Sequence, residues 1–129
     1  MRIYLFSIIF LLFFSCKSND SKDDILKSEM TLLSEEIIKN PNNINALLDR
    51  ANYNLEKKKY ESALFDLKQC LSLDSLNSKC NYLASFAYFE ISKYDNTKVD
   101  YGKLALRHIR NSIENDERNY LALALYGEI

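Results

Sequence analysis

The sequence contains no tryptophan, a single proline (Pro41) and two glycines, Gly102 and Gly127. With turn formers so scarce and Leu, Lys, Glu, Ala and Asn abundant, the chain reads as all-α. Histidine occurs once, at His108, and cysteine three times, at Cys16, Cys70 and Cys80. These residues show no metal-site spacing, and neither a glycine-rich phosphate loop nor a nucleophile–base pair accompanies them. An enzyme is therefore not expected, nor a metal or cofactor. The acidity of SNDSKDD is at best a weak calcium signal, because no EF-hand spacing goes with it. Neither sign of charge dominates: 17 Lys+Arg stand against 18 Asp+Glu, so no electrostatic affinity for nucleic acid or anionic lipid follows. A soluble unit cut from 129 residues is one small domain.

A membrane-spanning run is also lacking. The uncharged stretch Ile3–Phe14 would form a helix of ~18 Å, well short of a ~30 Å hydrocarbon core. Arg2 before it and Ser15 after it complete the layout of a secretory signal. Cys16 follows Ser15 directly, and FFSCK resembles the lipobox of bacterial lipoproteins in the looser form of the Bacteroidota. Phe13 and Phe14 are bulkier than the usual residues there, so an ordinary signal with a chance cysteine, or an uncleaved anchor, is the competing reading. The resemblance implies a signal peptide over 1–15, lipidation of Cys16 with acyl chains such as palmitate, and a polar tether over 16–23. Several chains on one cysteine, at ~0.8 kcal/mol per buried CH₂, anchor stably where one does not. The implied location is outside the cytoplasm, on the bacterial cell membrane or the outer membrane.

From Asn43 to Asn77 the chain reads NINALLDRANYNLEKKKYESALFDLKQCLSLDSLN. Leu47, Leu48, Ala51 and Leu55 recur at three- and four-residue steps, and Ala63, Leu64, Leu67, Cys70 and Leu71 repeat the pattern after Lys57-Lys58-Lys59. Two amphipathic helices joined by a short turn form a helical hairpin. This stretch resembles the tetratricopeptide repeat, a 34-residue helix-turn-helix unit. The resemblance places Ala51, Ala63 and Cys70 where helices cross closely, Tyr60 at the aromatic position after the turn, and Leu67 at the large apolar position beyond it. Leu47, Asn54 and Lys57-Lys58 depart from the family's usual Trp, aromatic and Leu-Gly.

The register extends both ways. Pro41 in KNPNN fits the end of a preceding unit, whose helix carries Ile25, Leu26, Met30, Leu33, Ile37 and Ile38 on one side and reads as an N-terminal cap. Ser85 lies 34 residues after Ala51, but Ala105 lies 42 after Ala63 and Gly127 lies 42 after Ser85. The second unit thus has about eight extra residues, expected as a long interhelical loop within Ser92–Gly102. Gly127 becomes the small crossing residue of a third unit, making NYLALALYGEI helical despite its strand-like alternation. The resulting helical domain, 24–129, is a short α-solenoid: cap helix 24–42, first repeat 43–76, second repeat 77–118 and partial third repeat 119–129.

Three expectations about chemistry and binding complete the reading. Cys70 and Cys80 form an even pair that outside the cytoplasm invites a disulfide, yet the helix-crossing position of Cys70 favours a buried free thiol. Arg107, His108 and Arg110 are expected on one solvated face. The repeat resemblance implies a partner-binding groove lined by Leu48, Asn52, Leu55, Tyr82, Phe86 and Phe89. Basic residues that would clamp a terminal carboxylate are largely missing from it, so an apolar or amphipathic segment of an unidentified protein is the expected ligand, unless the stripe is core. The overall expectation is a membrane-anchored envelope lipoprotein acting as an interaction module or assembly adaptor. The alternative is a structural subunit that self-associates, or completes a larger complex, through its open C-terminal face. Nucleic acid is not an expected partner.

Overall fold

The computed structural model describes residues 20–129 apart from Asn96. The signal segment, Cys16 and the first part of the tether lie outside the described residues. Six helices follow in order: α1 (Asp20–Lys39), α2 (Ile44–Glu56), α3 (Tyr60–Leu73), α4 (Ser78–Tyr94), α5 (Val99–Asn115) and α6 (Tyr120–Glu128). No strand occurs among the described residues, and no helix there is long and apolar enough to cross a membrane. The alternating YLALALY is helical, as the register requires.

One asparagine per unit starts the first helix. The N–H groups of Ala46, Cys80 and Ala122 donate to the side-chain oxygens of Asn43, Asn77 and Asn119 at 3.2, 3.0 and 3.0 Å. Each satisfies an otherwise orphaned helix N-terminal donor. The turn before each cap closes identically: Asn43, Asn77 and Asn119 donate their N–H to the carbonyls of Asn40, Asp74 and Asp116. Asp74 and Asp116 brace their turns by accepting the N–H two residues on, from Leu76 and Arg118. Asn40, Asp74 and Asp116, each three residues before a cap, are a repeat signal that apolar periodicity alone does not reveal.

Between α2 and α3 the chain turns at Lys58, whose φ of 56° is left-handed. Lys59 N–H donates to Asn54 O and Lys58 N–H to Leu55 O, at 2.8 and 2.9 Å. This is a Schellman termination with lysine where glycine is usual.

The surplus of the second unit is not a long loop. The α4–α5 connection is four residues, 95–98; instead α4 is four residues longer than α2 and α5 three longer than α3. About one extra turn per helix keeps both buried faces in register, since a turn is ~3.6 residues. The added turns are held by packing, with Tyr88 and Tyr101 edge-to-face at 5.1 Å.

Each helix packs on the next, and α4 also touches α2 and α6, whereas α3 and α5 do not meet. The array therefore curves, with α2, α4 and α6 on its inner side and α3 and α5 splayed on the outer. Leu67, Ala51, Ala63, Cys70 and Ala105 are fully buried in the central core. Ser85, in the Ala51 register, is buried too and donates to Ala105 O at 2.8 Å. Gly127 departs from the expected crossing: it is exposed, and a Cβ there would meet nothing. No described helix packs over that side of α6.

Cap helix α1 begins at Asp20, within the stretch read as tether. It packs through Leu33 and Ile37 on Ala46 and Leu47, while Ile25 and Ile38 are exposed rather than sharing that buried side. Ser34 adds a polar link, accepting from Arg50, which is itself paired with buried Asp66 of α3.

Cys70 and Cys80 are bonded to each other, correcting the expectation of a free thiol at Cys70. Their Cα atoms, on α3 and at the start of α4, are 6.4 Å apart, within disulfide reach. The small crossing position and the bond are compatible, because both sulfurs sit in the fully buried core.

Candidate functional site

The inner side is where the expected groove residues must be judged, and they divide into two groups. Leu48 and Leu55 point into the central core and are buried, so they do not line an open surface. Asn52, on the same helix, is half-buried. Tyr82, Phe86 and Phe89, at three- and four-residue spacing on α4, share one face and are also half-buried. Their inner edges touch the central core and a second cluster of Ile109, Ala122, Leu125 and Ile129. What covers part of the stripe is thus α6 and the C-terminal residue, not the N-terminal helix or a loop.

Tyr60 and Glu90 shape the end of this face. The Tyr60 ring meets Phe86 edge-on at 6.4 Å, and its hydroxyl donates to Glu90 at 3.2 Å. Lys93 pairs with Glu90 at 2.6 Å, and its ammonium lies 4.9 Å from the Phe89 ring centroid, a cation–π arrangement. Burial first, then the Glu90 charge, raises the Tyr60 phenol pKa; burial and then Glu128 do the same for Tyr82. The Glu90 hydrogen bond raises Lys93. The stripe is therefore an apolar strip whose tyrosines remain protonated hydroxyl donors, bordered by two carboxylates and one cation. The resemblance points to the aromatics and to Glu90, one helical turn beyond Phe86; Lys93, one turn beyond Phe89, is the edge residue that it does not mark.

His108 does not join a solvated face. Arg107 and Arg110 are exposed, but His108 is half-buried and stacks on Tyr88, with planes 10° apart and centroids at 5.6 Å. Asn81 commits its amide N–H groups to the carbonyls of Ser75 and Asn77, both at 3.0 Å, so its oxygen faces His108 Nδ1 at 2.9 Å as acceptor. The neutral ring thus carries its proton on Nδ1. Burial, and secondarily the Arg107 charge, lowers the His108 pKa to about 4. Helical spacing explains the placement: His108 is three residues past Ala105 and four before Ser112, both fully buried.

No group of three or more His, Cys, Asp or Glu side chains among the described residues could hold a metal ion. No protein-family model matches the chain, and no curated protein matches it. Among solved structures, the Arabidopsis OM64 TPR domain superposes with a TM-score of 0.69 at 20% identity, covering 84% of this chain and 83% of that one. The fold of this chain is that of a short tetratricopeptide-type α-solenoid with an N-terminal capping helix.

Proposed function

We propose that the chain is a non-enzymatic protein-interaction module, exported and held to a bacterial membrane by acyl chains on Cys16, that binds an apolar or amphipathic segment of a partner protein. The observation that carries this reading is the half-exposed stripe Tyr82–Phe86–Phe89 on the inner side of the array. Aromatic anchors in a groove tend to dominate binding energy, and a helix-lined groove accepts such segments. Glu90 and Lys93 at its end supply polar groups that fix orientation. Two features support export: the signal-like layout ending in Ser15-Cys16, and the Cys70–Cys80 bond, a linkage that persists in oxidising compartments. Metabolic labelling with a palmitate analogue tests the anchor; label that persists in Cys16→Ser rejects it. Co-purification of the full chain from detergent-solubilised membranes tests the adaptor reading. A stoichiometric heterologous partner supports it.

The second reading, a self-associating or complex-completing subunit, is favoured by α6. Ala122 and Leu125 are buried against the second repeat, but Tyr120, Leu121, Leu123 and Tyr126 are exposed. Such a cluster is typical of a contact surface. Light scattering decides: a dimer lost on Leu121→Lys supports this reading, and a monomer at high concentration rejects self-association.

A further inference from the structure

The outer side of the array holds a second candidate surface, built from residues that the inner-face reading does not use. Because α3 and α5 do not meet, an open cleft of about 350 Å³ lies between them, with α4 as its floor. Leu64 and Leu71 of α3 and Ala84 and Tyr88 of α4 give it apolar walls. Lys68 of α3 and Arg107 of α5 line it from opposite sides, both exposed. Neither is ion-paired with another described residue, whereas Lys93, Lys98, Lys103 and Arg50 all are. His108 lines the cleft too, but its Nδ1–H is committed to Asn81, and buried neutral it adds no third charge.

Two cations without an ion-pair partner among the described residues, lining one apolar trough from different helices, are complementary to a carboxylate carried beside an apolar side chain. The trough is open, so it cannot enclose a free small molecule as binding pockets do, with ~70–90% of the ligand surface buried. The carboxylate must come from a chain that is held elsewhere as well. We propose that the α3/α5 cleft docks an acidic segment of a partner protein, seating an aspartate or glutamate carboxylate between Lys68 and Arg107 and the adjoining apolar side chain on Leu64, Leu71 and Tyr88. The site lies on the opposite side of α4 from the aromatic stripe, so it stands or falls independently of it.

The test measures fluorescence anisotropy of a labelled hexapeptide alternating glutamate with leucine, added to the full chain in detergent, beside its glutamine counterpart. The glutamate probe should bind and the glutamine probe should not. The double variant Lys68→Gln/Arg107→Gln, both exposed and hence tolerated by the fold, should weaken binding by about tenfold or more, while Arg110→Gln on the same helix leaves it unchanged. Octanoate at the same concentration should leave the probe bound. Equal affinity for the double variant, no binding at millimolar protein, or displacement of the probe by octanoate at matching concentration would each overturn the proposal, the last by pointing to a small-carboxylate site.

Discussion

Arg50 on α2 holds Asp66 on α3 in a two-pronged pair, Nε to Oδ2 at 2.9 Å and Nη2 to Oδ1 at 2.6 Å. The Asp66 hydrogen bond raises the Arg50 pKa, and burial only partly opposes it. The Asp66 side chain is 2% exposed, so it relies on Arg50 for compensation. Arg50→Ala strands that carboxylate and should cost about 3 kcal/mol, whereas Arg50→Met/Asp66→Leu should recover most of the loss. Urea denaturation of the two variants checks this; equal losses in both would mean that packing, not the stranded charge, sets the cost.

Lys58 holds a left-handed conformation that lysine adopts only at a cost. Lys58→Gly relieves it, partly offset by the greater freedom of glycine in the unfolded chain, for a net gain of ~0.5–1 kcal/mol. Lys58→Val should destabilise instead, since a β-branched residue fits that region worst. Denaturation midpoints moving in opposite directions are the expected outcome.

The 10-residue separation of Cys70 and Cys80 makes a short loop, so the bond restricts the unfolded chain moderately. By chain entropy, Cys70→Ala/Cys80→Ala should lose ~2–3 kcal/mol. A thiol count on the unreduced, denatured native chain should find neither of these two cysteines reactive. Two titrating thiols from positions 70 and 80 would contradict the bond.

His108 gives a pH dependence of known sign. Its folded pKa is about 4, below the ~6.5 of the unfolded chain, so between these values the unfolded state binds the extra proton. Its contribution is intact above ~pH 6.5 and is lost as pH falls toward about 4. His108→Gln, which cannot titrate, should therefore lose less stability than the native chain on going from about pH 7.5 to about pH 4.5. Equal losses would assign the acid sensitivity to other groups.

The helices were legible because small residues recur at repeat distances, with Ala51 and Ser85 both buried in equivalent positions. What misled was polarity taken as a proxy for loop. The stretch SKYDNTKVDYG looks like a connection, yet most of it is helix, because adding about one turn to each partner preserves the buried faces of Tyr88 and Tyr101. His108 is masked in the sequence by its arginine neighbours; its helical spacing from Ala105 and Ser112, both fully buried in the structure, is what sets it beside the core. The Arg50–Asp66 pair and the orientation of Asn81 leave no periodic trace, since they join residues on different helices. In the candidate site, the repeat resemblance points to Tyr82, Phe86 and Phe89 but does not separate them from Leu48 and Leu55, which face the core from the neighbouring helix.

Site-specific photocrosslinking on the inner face tests the central claim most directly. With Asn52→p-benzoylphenylalanine in the full chain, irradiation of intact cells should give an adduct with one heterologous protein. Phe89→Ala should abolish that adduct while leaving most of the stability, the loss staying below the ~3–5 kcal/mol of a fully buried Phe→Ala change. The same photoreactive group at Glu114, exposed on α5, should not yield it. No adduct from position 52, or an adduct indifferent to Phe89→Ala, would contradict the inner aromatic face as the binding surface.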